Sequence, residues 1–140
     1  MGNGDAQERE CVNAFRDAGW FARRATSSGG GTKQASYDVM AAKEGTIFVG
    51  EVKYRDPDEY IYIQEQEVED LEWCAEQLGG FAVLIARWKR DTSLYAYFPE
   101  QLTRTDAGSY RISSNEKLSA AFTVPPDKSD EVRSIKTAER

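Results

Sequence analysis

The sequence contains no histidine and only two cysteines, and these scarcities exclude several kinds of site. Without an imidazole, neither a Ser-His-Asp triad nor a Cys-His nucleophile can form, and no histidine can act as acid or base. Cys11 and Cys74 cannot supply the four ligands of a zinc finger without acidic help. Both lie in apolar helical patterns typical of buried, reduced thiols. Any catalysis must therefore use carboxylates, lysines, tyrosines or a bound ion.

Long apolar segments are also missing. The longest apolar run, 81–86, is far shorter than the roughly 20 residues that a helix needs to cross a bilayer. The first five residues contain neither the basic start nor the apolar stretch of a secretion signal. We therefore expect a cytoplasmic protein without a membrane partner. The 140 residues suit one domain, which we place at 1–124, followed by a polar, flexible tail at 125–140.

The charge balance is acidic, with a formal net charge of -6. For a protein that acts on nucleic acid this is the unfavourable sign, because affinity for DNA depends largely on lysine and arginine neutralising phosphates. The segment 58–76 holds eight acidic residues and no basic one. Since the excess acid is confined to this segment, the rest of the surface can still present a neutral or basic face.

Apolar spacing predicts two helices. The first begins at Asp5, which forms a capping box with Glu8, and ends at Gly19. The second spans 64–78 and ends at a pair of glycines. Its apolar face would contain Val68, Leu71, Ala75 and Leu78.

Strand patterns alternate with these helices, and 25–35, which holds three consecutive glycines, is predicted to be a loop. Strands are predicted at 20–24, 37–42, 46–54, 60–63, 81–87 and 93–98. This order of elements indicates an α/β fold in which a mixed β-sheet is flanked by helices.

A possible β-hairpin carries the most informative charges. If Glu44 and Gly45 form its two-residue turn, Asp38 falls opposite Glu51, and their Cβ atoms would be about 5 Å apart on one face. Lys53 lies two residues further along and shares that face. A three-residue loop would shift the register by one residue and separate these side chains.

Charged residues in apolar strands are costly unless they are paired or hold an ion. Two facing carboxylates repel each other, and a Mg²⁺ ion, which prefers oxygen ligands, relieves that repulsion. Such an ion can activate water for attack on a phosphodiester, and a nearby lysine can stabilise the developing charge. The alternative is a simple salt bridge from Lys53 to Glu51 or Asp38 at the margin of a sheet.

Several segments together resemble the archaeal Holliday-junction resolvase (Hjc) family, within the nucleases that carry an Asp…Glu-x-Lys site. The resemblance runs from Gly4 to about Ser113, and the order and spacing of its segments are more specific than any one of them. Besides Asp38, Glu51 and Lys53, the similar segments are 4–9, 24–29, 62–66, 99–105 and 108–110.

The resemblance implies a restriction-endonuclease-like fold and Mg²⁺-dependent hydrolysis of phosphodiesters in four-way DNA junctions, with Mn²⁺ as a possible substitute. It implies that Glu8, Asp38 and Glu51 bind the metal and that Lys53 is the catalytic lysine. Two further residues would assist catalysis, Ser28 from the loop and Gln66 from the segment after the site. The residues expected to contact phosphates are Arg9, Arg24 and Arg55.

This sequence departs from the family pattern in two respects. Tyr37 stands where the family often has proline, and the chain is acidic where comparable family members are basic. Its acidic, lysine-poor composition is similar to that of proteins from salt-adapted archaea or their viruses. Alternatives remain open: Glu8 could only cap its helix, the arginines could be solvated, and the protein could be another nuclease or a non-catalytic DNA-binding protein of this fold.

A junction presents two matched strands to be cut, so a single site per chain implies a homodimer with two-fold symmetry. Surplus apolar residues could supply the interface; alternatively they fill the core of the monomer. These residues are Leu71, Trp73, Leu78, Tyr95 and Tyr97.

Overall fold

A computed structural model describes residues 4–25 and 35–127. Two α-helices and nine strands are found in these ranges, together with short 3-10 helices at Pro99–Gln101 and Ser114–Ser119. The elements in chain order are α1 (Asp5–Asp17), β1 (Phe21–Arg24), β2 (Val39–Lys43), β3 (Thr46–Arg55), β4 (Ile61–Ile63), α2 (Glu65–Leu78), β5 (Phe81–Trp88), β6 (Leu94–Tyr97), β7 (Thr103–Arg104), β8 (Tyr110–Ile112) and β9 (Phe122–Thr123).

The main sheet has six strands in the order β1-β2-β3-β5-β6-β9. β3 and β5 are parallel, and every other neighbouring pair is antiparallel. The parallel pair needs a crossover connection, and α2 lies within it. This arrangement confirms the mixed sheet with flanking helices that the sequence predicted.

Two apolar cores lie on opposite faces of this sheet. One includes Phe15 of α1 with Phe48 and Val52 of β3. The other includes Leu71 of α2 with Val49 of β3. Because successive strand residues point to opposite faces, β3 contributes even-numbered residues to the α1 core and odd-numbered residues to the α2 side. Glu51 and Lys53 therefore project on the same side of the sheet as α2.

The β2–β3 hairpin has the predicted register. Glu44 and Gly45 both have positive φ, 52° and 82°, as a two-residue type I′ turn requires. The pairing runs from Lys43↔Thr46 at the turn to Val39↔Gly50 at the open end. The next position outward brings Asp38 alongside Glu51.

A second sheet, in the order β4-β8-β7, covers part of the α2 core. Ile61, Ile63 and Ile112 point inward from it and are buried. Of these short strands, β4 lies in a predicted strand, whereas β7, β8 and β9 lie outside the predicted strands. Those strands are two or three residues long, and such lengths carry no readable alternation of apolar and polar residues.

Three details differ from the sequence predictions or lie beyond the described residues. Gly4, not Asp5, is the N-cap of α1, and because glycine has no side chain the cap lacks a side-chain hydrogen bond. Leu78 is 40% exposed instead of completing the apolar face of α2. Ser28 and most of the predicted tail lie outside the described residues. Within those residues, neither helix has the length and hydropathy to span a membrane.

Candidate active site

The open end of the β2–β3 hairpin gathers the predicted charges. The Asp38 backbone N–H donates to Gly50 O at 2.9 Å, and the Asp38 carboxylate accepts from the Val52 N–H at 2.8 Å. Asp38 is thus held against β3 just before β2 begins. Glu51 and Lys53 project from the same face, with 3.8 Å between Glu51 Oε2 and Lys53 Nζ.

Glu67 of α2 completes the surroundings of the lysine. Its Oε2 accepts a hydrogen bond from Lys53 Nζ at 2.9 Å. Its Oε1 accepts one from the Gln64 backbone N–H at 2.9 Å, which forms the capping box of α2. Because one carboxylate serves both the helix cap and the lysine, the start of α2 fixes where the ammonium group lies.

The first turn of α1 supplies a second acidic group. Arg24, the last residue of β1, contacts Glu8 at 3.1 Å and Asp5 at 3.0 Å. Glu8 also helps to line a cleft of about 250 Å³. The other residues of this lining are Gly4, Asp38, Glu51, Val52, Lys53, Tyr54 and Arg55.

Burial raises the pKa of three acids at this site, because removing a carboxylate from water disfavours its charged form. It raises the pKa of Glu51 to about 8, and the nearby Asp38 charge adds to the effect while Lys53 opposes it. Burial also raises the pKa of Asp38 and, with the Asp38 charge, that of Glu8. Burial pushes the pKa of Glu67 upward too, but hydrogen bonds from Lys53 and Gln64 outweigh it and lower this pKa. The pKa shifts of the two acids nearest Lys53 are therefore opposite, and Glu67 loses its proton more readily than Glu51 does.

The carboxylates of Asp38, Glu51 and Glu8 suit a hard divalent cation, which prefers oxygen ligands. The Asp38 charge raises the pKa of the other two acids, and a bound cation would relieve that repulsion. Within residues 4–25 and 35–127, however, no group of three or more aspartate, glutamate or cysteine side chains is arranged so that it could hold a metal ion. The carboxylate oxygens here already have partners. Lys53 contacts Glu67, Arg24 contacts Glu8, and the Val52 N–H donates to Asp38. Binding an ion would require Glu51 to be ionised and would displace part of these contacts.

Some of the other predicted site residues lie at the cleft and others lie away from it. Arg55 lines the cleft and donates to Tyr54 O at 2.8 Å, whereas Arg9 is exposed on α1. The Gln66 amide donates to Asp70 at 2.8 Å on the exposed surface of α2. Ser28 lies outside the described residues. Glu8, Arg24 and Arg55 therefore lie near the hairpin acids, whereas the Gln66 side chain contacts Asp70 of its own helix.

Sequence reasoning missed Glu67. The available signal was its position three residues after Gln64, where a helix-capping glutamate is expected. Its second role depends on how α2 packs against β3, which no local pattern contains.

Comparison with known proteins decides the family. Residues 1–125 match the family model described as archaeal Holliday junction resolvase (Hjc). The chain belongs to this family. The crossover junction endodeoxyribonuclease Hjc of Sulfolobus acidocaldarius is 36% identical over 107 residues, which covers 76% of this chain and 73% of that relative. The protein of the same name from Sulfurisphaera tokodaii is 31% identical over 109 residues, covering 78% and 74% respectively.

The fold also agrees with a solved structure of the family. The Archaeoglobus fulgidus Hjc, described as a Holliday junction resolvase from an archaeal hyperthermophile, superimposes with a TM-score of 0.69. The match covers 80% of this chain and 92% of that one at 21% identity, which supports the restriction-endonuclease-like fold.

In this member of the Hjc family, Glu67→Ala should slow catalysis without weakening DNA binding. The substitution releases Lys53, which the family resemblance implies is the catalytic lysine, and a displacement of about 1 Å at a catalytic group can cost roughly 100-fold in rate. We expect kcat to fall by about 10- to 100-fold while the junction Kd stays within about twofold. Glu69→Ala, on the exposed surface of the same helix, is the matched control and should leave kcat unchanged. A larger loss for Gln66→Ala than for Glu67→Ala would assign the supporting role to the glutamine.

Proposed function

We propose that the protein is a structure-selective DNA endonuclease that resolves four-way junctions by paired, metal-dependent hydrolysis of phosphodiesters. The observation that carries this proposal is the Asp38, Glu51 and Lys53 cluster at the open end of a hairpin, in a chain of the Hjc family. Its named relatives are crossover junction endodeoxyribonucleases. Since the substrate is DNA, we place its action in the cytoplasm.

The proposed cofactor is Mg²⁺, with Mn²⁺ as a substitute. Asp38, Glu51 and Glu8 are the proposed ligands, because all are acids at the cleft with raised pKa. When bound, the ion activates water and stabilises charge on the phosphate. Lys53, held by Glu67, offers its ammonium group to the developing negative charge.

The remaining proposed roles concern binding and support. Arg9, Arg24 and Arg55 would contact phosphates, so recognition would depend on the backbone and shape of the DNA rather than on base edges. Arg24 must release part of its contact with Glu8 or Asp5 to do so. Ser28 is proposed to act from the glycine-rich loop, and Gln66 to support the site from α2.

A homodimer is the proposed working unit, and the exposure of the candidate interface residues supports one side of the molecule for it. Leu71 and Tyr97, which were interface candidates, are buried in the monomer and fill its core. Tyr95 is partly buried and donates to Asp91 at 2.8 Å. Trp73 and Leu78 on α2 remain 44% and 40% exposed. The proposed interface therefore uses the exposed side of α2.

A cleavage panel tests the proposed substrate. A four-way junction, a flapped duplex and a linear duplex of shared sequence are incubated with the enzyme in Mg²⁺. We expect rapid cutting of the junction and little of the others. Preferential cutting of the flap or duplex would assign the protein to a different nuclease activity of this fold, and binding without cleavage would make it a non-catalytic DNA-binding protein.

The salt-adapted character inferred from composition also remains a proposal. The acidic segment 58–76 includes Glu69 and Glu76, which are exposed on α2. Their repulsion extends over about 30 Å at 0.01 M salt but only about 3 Å at 1 M. We expect Tm to rise by roughly 5 °C between these salt concentrations, as about 1 kcal/mol of relieved repulsion would produce. Differential scanning calorimetry against KCl measures this, with the Glu69→Gln/Glu76→Gln variant expected to respond less; a flat or falling curve would refute it.

A further inference from the structure

The outer surface of the second sheet exposes aromatic rings beside an arginine. Tyr60 and Tyr62 are 43% and 48% exposed, and their ring centroids are 5.9 Å apart. The guanidinium carbon of Arg111 lies 4.5 Å from the centroid of the Tyr60 ring. We call these three residues the tyrosine–arginine face.

The strand register explains why these side chains share one surface. Tyr62 of β4 pairs with Arg111 of β8, so both project from the same side of the sheet. Ile61 and Ile63, which alternate with the tyrosines, point into the core and are fully buried. The inward isoleucines fix the orientation of the strand, and the tyrosines therefore face solvent as a consequence of the fold.

The strand that carries Tyr62 ends just before the helix that anchors Lys53. Tyr62 is two residues before Gln64, or about 7 Å along an extended chain. The Gln64 N–H binds the Glu67 carboxylate that also holds Lys53 Nζ. The tyrosines are therefore connected to Lys53 through Gln64 and Glu67, and a nucleic-acid strand bound at both places would pass the start of α2.

The chemistry of the face favours an uncharged, flat ligand. Asp58 and Glu59 precede Tyr60 and, with Ser114 and Asn115, line a hollow of about 430 Å³ beside it. These acids disfavour a phosphate at this position. Exposed aromatic rings with an arginine, by contrast, suit stacking of nucleobases, which need no charge complement.

We propose that the tyrosine–arginine face stacks bases that leave their partners at the branch point of the DNA substrate. This inference rests on the proposed function and adds to it how a branched substrate is distinguished from duplex: only a branch point presents bases free to leave their partners. Tyr62 is the central residue, because it lies between Tyr60 and the anchor of the catalytic lysine. Stacking there would hold the strand beside the cleft.

The test measures binding of Tyr62→Ala to a four-way junction with 2-aminopurine at the branch point and to a linear duplex of the same sequence. Loss of one stacking platform should weaken junction binding by about 5- to 150-fold and leave duplex binding unchanged. Quenching of 2-aminopurine should fall with it. Tyr62→Phe keeps the ring and should behave as wild type. Phe21→Ala is the matched control, since Phe21 is 53% exposed with the Arg23 guanidinium 4.5 Å from its ring, near the opposite end of the hairpin.

The outcomes separate this inference from the proposed function. If the wild type cleaves the junction but Tyr62→Ala binds it unchanged, the stacking inference is wrong and the proposed function stands. Equal weakening of junction binding and duplex binding would also overturn the stacking inference, because such a result indicates a contact with the DNA backbone. A change from dimer to monomer in light scattering would assign the face to a second copy of the chain. Failure of the wild type to cleave junctions would overturn the proposed function instead.

Discussion

Replacing Glu51 with glutamine should abolish junction cleavage while junction binding remains close to wild type. Glutamine keeps the size of the side chain but removes the charge that a divalent cation requires. If Glu51 is a metal ligand, as proposed above, its loss should lower the cleavage rate by at least about 1,000-fold, which corresponds to about 4 kcal/mol of transition-state stabilisation. Single-turnover cleavage and an electrophoretic binding assay measure the two effects.

A matched control comes from the same hairpin. Glu44→Gln removes one acid at the closed end, in the turn, and should leave cleavage within about twofold, as surface substitutions commonly do. Cleavage by Glu51→Gln at the wild-type rate would mean that the cluster is a structural salt bridge and that the active site lies elsewhere.

The raised pKa of Glu51 supplies a check that the variant folds. A carboxyl whose pKa is raised on folding favours the native state below about pH 4.5, and that advantage is lost as pH rises towards about 8. Glu51→Gln removes this pH-dependent loss. In EDTA at pH 8 the variant should therefore melt at or above the wild-type temperature, so that a loss of activity cannot be attributed to unfolding.

The second large effect is expected from mixed dimers. If two chains each contribute one site, a wild-type chain paired with a Glu51→Gln chain should cut only one of two matched strands. Refolding the two chains together in equal amounts should give about half mixed dimers by simple combination, and these should accumulate nicked junctions in place of separated duplexes. Gels that resolve nicked from separated products measure the ratio.

A monomeric enzyme would behave differently. Light scattering would then give the chain mass of 15.7 kDa, and adding Glu51→Gln chains would change the rate but never the ratio of nicked to separated products. Substitution of Trp73 on the exposed side of α2 should promote this state if the proposed interface is correct, because Trp73 is 44% exposed in the monomer.

The hairpin was predictable because its determinants are local. A two-residue turn with glycine at its second position sets the register, and register alone places Asp38, Glu51 and Lys53 on one face. The N-cap of α1 was predicted one residue late. Asp5 and Glu8 have capping-box spacing, but both carboxylates contact Arg24, a tertiary partner that competes with the local cap.

The parts that could not be predicted depend on contacts between distant elements. Glu67 is 14 positions from Lys53 and reaches it only because α2 packs on the odd-numbered side of β3. Tyr97 and Leu71 were equally suited to a core or an interface until the second core was seen to enclose them. Gln66 and Glu67 are adjacent, and only the direction of the helix decides which of them faces the lysine.

The most direct test of metal-dependent junction resolution is cleavage of a four-way junction labelled on one strand at a time, with Mg²⁺ or with EDTA. In Mg²⁺ we expect nicks at symmetric positions in two opposed strands, releasing duplexes that ligase can seal. In EDTA we expect no product. Cleavage that persists in EDTA, or nicks without two-fold symmetry, would contradict metal-dependent resolution by a two-fold dimer.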